Sequence, residues 1–225
     1  LAKMIGLVFL RLRLPDRGSL ADQAYESLRA AILDRTLRAG TKLVMRDLVE
    51  QLQLSPTPIN QALVALEREG LVESQPHRGY HVIELEPHDV QEIYSLREVI
   101  EGLAVRLAAE REPEHLAEHL AELRDAQAAC CADTGDDVSR YADLDMAFHR
   151  AIWNASGNGR LLRTAETLMG QVRLLIRTSA AVPGRLAASI EEHGRIVQHL
   201  RDGESREAET EMRRHVRSAA GALVR

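Results

Sequence analysis

Two consecutive short segments between residues 45 and 71 place apolar side chains at helical spacing. The first stripe contains Leu48, Val49 and Leu52, and the second contains Ile59, Leu63 and Leu66. Ser55 and Pro56 interrupt the pattern between the two stripes, and both residue types are common in turns. The spacing therefore predicts a helix, a tight turn and a second helix.

The second of these helices has recognisable ends. Ser55 or Thr57 can cap its first turn, and Gly70 is placed to end it. Behind it, residues 71–74 and 80–85 have the composition of two short strands joined by a Pro/Gly turn. A helix-turn-helix followed by such a hairpin is the winged form of a DNA reader, although the same order of elements also occurs in proteins that do not bind DNA.

Helical period also dominates the rest of the chain. An amphipathic segment of about four turns begins at a cap residue, Ser19. Six more helices are predicted near 88–111, 114–132, 136–155, 158–179, 185–202 and 204–223. No strand is predicted after residue 85, and amphipathic helices with short connections form antiparallel bundles.

The predicted fold is therefore mainly α, with a winged helix-turn-helix domain followed by an all-α antiparallel bundle. The expected segments are an arm at 1–18, the winged domain at 19–83, a linker at 84–88 and the helical domain at 89–225. The apolar run at 4–10 is too short to span a bilayer. We interpret 1–18 as a flexible arm, with a basic arm reaching the DNA minor groove as the alternative.

Composition and charge limit the classes of protein that fit. The two cysteines, Cys130 and Cys131, are adjacent, which argues against a disulfide-stapled secreted protein and favours a cytoplasmic one without a membrane partner. The net charge is −5. Residues 19–83 carry seven basic and eight acidic groups, so this domain has no net positive charge. A small number of individual groups, together with dimerisation, would have to supply the contacts to DNA phosphates.

One group of residues in the helical domain has the chemistry of a metal site. Asp145 and His149 are four residues apart, which places both on one face of a helix. His193 and His215 belong to the two last predicted helices, and imidazole and carboxylate are ordinary ligands of Zn²⁺. The pattern alone does not decide the matter, because His115 and His119 have the same spacing.

The predicted helix-turn-helix and hairpin resemble the DNA-binding domain of GntR-family transcription regulators. The positions that agree with the family pattern are Leu43, Leu48, Leu52, Ser55, Thr57, Pro58, Ala62, Leu63, Leu66, Glu67, Glu69, Gly70, Leu71 and Val72. The chain departs from the pattern at Pro56 and Asn60, where the family usually has arginines that contact DNA. This departure puts the strength of operator binding in doubt.

The resemblance implies a set of DNA-contacting residues in the two helices and the hairpin tip. They are Arg46, Ser55, Thr57, Asn60, Gln61, His77, Arg78 and Gly79. Asn60 can read an adenine edge through its amide or be an ordinary surface residue. His77 can likewise be a phosphate contact or a plain turn residue.

The C-terminal part resembles the FCD ligand-binding domain of the FadR-type branch of that family. The resemblance rests on Arg97 and Glu101, on Asp145 with Phe148 and His149, and on Glu192-His193 followed by His215. It implies that Asp145, His149, His193 and His215 hold a divalent metal, zinc first, with nickel or manganese as alternatives. It also implies that Arg97, Glu101 and Arg173 receive a small carboxylic acid, whereas an Arg97–Glu101 pair within the helix is the simpler interpretation.

Together these observations predict a metabolite-responsive transcription regulator. It would bind operator DNA as a homodimer and would not be an enzyme, and a repressor is preferred over an activator. The alternative is a metal-dependent helical-bundle hydrolase with a vestigial winged domain, because an ion with open coordination positions can activate water.

Overall fold

The computed structural model describes residues 18–111, 113–132, 138–180 and 182–224. The chain divides into two compact units, Leu1–Leu85 and Glu86–Arg225. The predicted arm at 1–18 lies outside the described residues except for Gly18. None of the described helices is long and apolar enough to cross a membrane.

The first unit is the predicted winged helix-turn-helix. Its elements are α1 (Leu20–Leu33), β1 (Lys42–Leu43), α2 (Met45–Leu52), α3 (Pro56–Arg68), β2 (Val72–Gln75) and β3 (Gly79–Val82). The strands form an antiparallel sheet in the order β1-β3-β2, in which Glu73 and Lys42 both pair with His81. The largest fully buried side chains of this unit are Leu28, Ile32, Leu52, Ile59, Leu63, Leu66 and Leu71.

Local residue chemistry explains the ends of these helices. The Ser19 hydroxyl accepts a hydrogen bond from the Asp22 amide, and the Asp22 carboxylate accepts one from Ser19, which completes the predicted cap of α1. Gln53 turns the chain between α2 and α3 with a left-handed φ of 54°. Ser55 stands at the start of α3, but its side chain makes no capping hydrogen bond, contrary to expectation.

The hairpin differs slightly from the predicted strands at 71–74 and 80–85. Its strands begin at Val72 and Gly79 and end at Gln75 and Val82. The strand β1 is not predicted by the sequence, because two residues are too few to show a period. It becomes a strand only because Leu43 pairs with Tyr80 of the hairpin.

The second unit is a bundle of seven described helices. They are α4 (Pro87–Ala109), α5 (Pro113–Ala132), α6 (Val138–Ala155), α7 (Gly159–Glu166), α8 (Met169–Ser179), α9 (Arg185–Arg201) and α10 (Ser205–Leu223). The helix α4 packs along α10 and α6, and α5 packs between α6 and α9. This arrangement brings α4, α6, α9 and α10 together around one centre.

The single helix predicted at 158–179 is wrong, because the chain breaks it at Thr167 and Leu168. The Thr164 and Thr167 hydroxyls donate to carbonyl groups of the preceding turn, a contact that bends helices. The Leu168 amide then donates to the Ala165 carbonyl three residues back. Apolar period continues across the break, so the sequence pattern does not reveal it.

Candidate metal centre and DNA-reading surface

Three helices of the second unit bring the four predicted ligands together. Asp145 and His149 lie one turn apart on α6, while His193 comes from α9 and His215 from α10. One ring nitrogen from each histidine lies within 4.8 Å of the others. The Asp145 carboxylate oxygens lie 3.8 Å from the Nε2 atoms of His149 and His193.

Packing holds the rings of this cluster in place. Phe148 is fully buried and stacks on His193 with 3.9 Å between ring centroids and 11° between planes. His149 and His193 are themselves fully buried, and His215 is nearly so. The rings therefore have little freedom to turn away from the centre.

Each histidine has a hydrogen-bond acceptor behind it. The Nδ1 atom of His193 lies 2.9 Å from the Gln127 amide oxygen, and that of His215 lies 2.8 Å from the Glu192 carboxylate. The Nδ1 atom of His149 is in close contact with Glu101. Oxygens of these kinds only accept, so the Nδ1 atoms of His193 and His215 donate and their Nε2 atoms keep their lone pairs. Acceptors in this position typically orient histidines that bind metals.

Two of the atoms without a hydrogen-bond partner in this group are the Nε2 atoms of His149 and His193, which lie nearest to Asp145. Both are buried and have no hydrogen-bond partner among the described residues. A buried polar atom without a partner is costly. Two such lone pairs beside a carboxylate fit a divalent cation, which accepts electron pairs from imidazole and carboxylate.

Protonation of His193 and His215 is disfavoured at this site. Burial lowers the pKa of His193 well below 6.5, and the neighbouring His215 and His149 lower it further. Burial also lowers the pKa of His215, although the Glu192 carboxylate opposes the change. Neutral rings are the form that binds metal ions.

The carboxylates behind the histidines are each neutralised by an arginine. Burial alone would raise the pKa of Glu101, but Arg97 and His149 lower it to about 2. Burial would likewise raise the pKa of Glu192, but hydrogen bonds from His215 and Arg185 lower it to about 2. The Arg97 Nε atom lies 2.6 Å from Glu101, so the predicted pair within the helix is present.

A cavity opens beside the cluster. Its wall includes Tyr94, Arg97, Asp145, Arg185 and His215. The predicted acid-binding residue Arg173 does not line it and instead pairs with Asp143. Arg185 takes a place in the wall, where its guanidinium donates to Glu192 and to the Ser218 hydroxyl. The sequence does not single out Arg185.

A second, mostly apolar cavity lies on another side of the Arg97–Glu101 pair. Both residues line it together with Trp153, Ile100 and Val172. Trp153 is 3% exposed, and its ring centroid lies 6.4 Å from that of His149. Its Nε1 atom is buried and has no hydrogen-bond partner in the described part of the chain.

The other helical-domain histidines stand apart from the cluster. The His115 and His119 side chains are 88% and 57% exposed, and each lies near a glutamate of α5. His199 on α9 pairs with Glu204. The i, i+4 spacing of His115 and His119 therefore occurs on a solvated helix face.

All eight predicted DNA-contacting residues are exposed in the first unit. Thr57, Asn60 and Gln61 share one face of α3, because they are three and four residues apart. His77 and Gly79 adopt left-handed φ values of 61° and 81° at the hairpin tip. Arg46, at the start of α2, has 89% of its side chain exposed.

Both units match known domains. Residues 20–82 match the bacterial regulatory proteins of the gntR family, and residues 92–218 match the FCD domain. The chain belongs to the GntR family. It is a GntR regulator of the FadR-type branch, so the resemblance noted in the sequence and the predicted fold class are confirmed.

Similar proteins of this GntR family cover most of the chain. A Paenarthrobacter nicotinovorans protein named "Probable D-xylose utilization operon transcriptional repressor" is 31% identical over 89% of this chain and 87% of its own length. A solved GntR transcriptional regulator from Rhodococcus sp. RHA1 is 22% identical, covers 92% of this chain and 98% of its own, and has a TM-score of 0.76. The solved Escherichia coli McbR/YncC has the same identity and coverage and a TM-score of 0.75. The named relatives are transcriptional regulators, not enzymes.

Proposed function

We propose that this GntR regulator binds operator DNA as a homodimer and that a small carboxylic acid controls its DNA affinity from a metal site in the helical domain. The observation that carries the proposal is the pair of buried, unpartnered Nε2 atoms of His149 and His193 beside Asp145, among the residues that the structure describes. His215 completes the ligand set. Zinc suits these donors first, and nickel or manganese are alternatives.

Arg97 is the residue best placed to receive the acid. Its Nε atom donates to Glu101, and the residue lines the cavity together with Asp145 and His215. A bound divalent metal ion would supply positive charge and open coordination positions for a carboxylate oxygen. The acid would change DNA binding only if it favours one arrangement of the protein over another, since equal affinity for both shifts nothing.

We assign the role of repressor, rather than activator, by analogy. A relative of similar length is named as an operon repressor. The hydrolase alternative finds no support, because the relatives are regulators and the buried carboxylates Glu101 and Glu192 are each paired with an arginine, which disfavours a role as general base.

Homodimerisation would pair two copies of α3, as a two-fold symmetric operator requires. The helix α4 leaves two large apolar side chains exposed three residues apart, Leu96 at 43% and Val99 at 53%. A second copy of the chain is the partner that we propose for them. Sedimentation should give twice the monomer mass of 25.1 kDa, and a mass that stays monomeric would reject the homodimer.

Metal analysis combined with thermal unfolding tests the proposed site. We expect about one divalent metal per chain, and we expect some small carboxylic acids to raise the unfolding temperature of the metal-loaded protein only. An acid at about 100 times its Kd adds roughly 2.7 kcal/mol to the free energy of unfolding. Protein without metal, unaffected by chelation, would overturn the proposal.

The substitution Asn60→Arg tests whether α3 faces DNA phosphates. Because it restores a basic group where the family usually has one, binding to duplex DNA of random sequence should tighten. The plot of log affinity against log salt should steepen by about 0.9 for one added phosphate contact. Thr210→Arg places the same charge on an exposed position of α10 and is the matched control. An equal slope in both variants would show that Asn60 does not face the backbone.

A further inference from the structure

Gln127 on α5 is the hydrogen-bond partner behind His193, and its chemistry differs from that of the partners behind the other two histidines of the cluster. Its amide oxygen lies 2.9 Å from the Nδ1 atom of His193. The partners behind the other two rings are carboxylates, those of Glu101 and Glu192. An ionised carboxylate only accepts hydrogen bonds, whereas an amide carries both an acceptor and two donors. The amide of Gln127 can therefore serve a neutral imidazole with the proton on either nitrogen.

The amide nitrogen of Gln127 is the part of this side chain that the metal site does not use. Gln127 is fully buried, and its Nε2 atom has no hydrogen-bond partner among the described residues. The Nε2 atom of His193 is buried and unpartnered in the same way. Buried polar atoms without partners are costly. One hydrogen-bonded pair of side chains thus carries an unsatisfied donor and an unsatisfied acceptor.

A half-turn of the Gln127 amide about its last side-chain bond would engage both of these atoms when no metal is bound. The turn exchanges the amide oxygen and nitrogen, so the amide nitrogen donates to Nδ1 of His193. The ring proton then belongs on Nε2, which lies 3.8 Å from an Asp145 carboxylate oxygen, slightly beyond hydrogen-bond distance. The amide oxygen loses its partner, but two atoms that lacked one gain it. The ring stays neutral and keeps one proton throughout.

We infer that Gln127 is a positioning residue that lets the ring proton of His193 change places, from Nε2 in the metal-free protein to Nδ1 when a metal binds Nε2. The inference rests on the proposed metal site. A metal needs the lone pair of Nε2. Its binding therefore requires the proton on Nδ1 and the amide oxygen facing that proton. His215 makes no such change, because the Glu192 carboxylate behind it accepts with or without metal.

Nitrogen NMR of the full-length protein, with isotope-labelled histidine, tests this change at neutral pH. The chemical shift of each ring nitrogen shows whether that nitrogen carries the proton. When zinc is added, the proton of His193 should move from Nε2 to Nδ1, and the signals of this ring are identified by their absence in His193→Ala. The proton of His215 should stay on Nδ1 and serves as the internal control. A proton on Nδ1 of His193 in zinc-free protein would overturn the inference.

Gln127→Met tests the positioning role itself. Methionine has a similar length but no amide, so a zinc-bound His193 would keep a buried Nδ1–H without an acceptor. Zinc affinity, measured by competition with a chelating dye, should fall about 10–100-fold. Gln198→Met is the matched control, because it makes the same substitution at an exposed glutamine of α9 that pairs with Asp202. It should keep the wild-type affinity. Equal affinities in the two variants would overturn the inference.

The failure of this inference and the failure of the metal site give different results. Zinc binding by the wild-type protein without movement of the His193 proton would leave the metal site standing and overturn the inference. Absence of zinc binding by the wild-type protein would reject the metal site itself, and the inference with it.

Discussion

His193→Ala should abolish stoichiometric metal binding. The ring it removes is fully buried, stacks on Phe148 and presents to the centre an Nε2 atom that no described residue hydrogen-bonds. Loss of a partner behind a ligand already costs about 10–100-fold in metal affinity. Loss of the ligand itself should cost more. Metal content measured after dialysis should fall from about one per chain to near zero, and chelator should no longer lower the unfolding temperature.

His199→Ala is the matched control for this experiment. It makes the same substitution on the same helix, at a histidine that pairs with Glu204 outside the cluster. It should keep both the metal and the response to chelator. Circular dichroism of both variants would show that each keeps its helices. One metal per chain retained in His193→Ala would mean that the buried histidines are packing residues.

Arg97→Met should cause the largest loss of stability among the site variants. Glu101 is 1% exposed and would keep a buried charge without its arginine. Breaking a buried ion pair from one side typically costs about 3–5 kcal/mol. Urea unfolding of metal-free protein at neutral pH should show this loss as a lower midpoint with an unchanged slope. Metal-free conditions separate the effect from any change in ion binding.

The double variant Arg97→Met with Glu101→Gln tests the stated cause. It removes both charges, and an amide at position 101 can still accept from His149 Nδ1. Replacing both members of a buried pair is often neutral, so most of the lost stability should return. A double variant as unstable as Arg97→Met would show that lost packing of the arginine, not the stranded carboxylate, is responsible.

Much of the fold is predictable because each element carries a local signal. Leu63 and Leu66 on α3 show the helical period, and Ser19 with Asp22 marks the start of α1. The break between α7 and α8 escapes prediction, because the apolar period continues across Thr167 and Leu168. The strand β1 exists only through pairing with β3 and has no period of its own.

The site is predictable only in part, for the same reason. Helical spacing alone places Asp145 next to His149, whereas the approach of α9 and α10 depends on tertiary packing and is implied only by the family resemblance. Gln127 escapes notice, because a glutamine in an alanine-rich helix gives no sign of a buried partner 66 positions away. The sequence likewise does not show that Arg185, rather than Arg173, lines the cavity. The direction of an arginine side chain depends on the carboxylate with which it pairs, and that partner is set by tertiary packing.

Trp153 gives this regulator a built-in optical reporter. It is the only tryptophan of the chain, it is buried one helical turn from His149, and it lines a cavity with Arg97 and Glu101. Indole emission depends on nearby charge and polarity. Because Trp153 is the only tryptophan, all tryptophan fluorescence of this protein comes from a side chain beside the proposed metal ligands and the arginine proposed to receive the acid. Occupation of the centre can therefore be followed in real time by fluorescence, without a label and without a second tryptophan to confuse the signal.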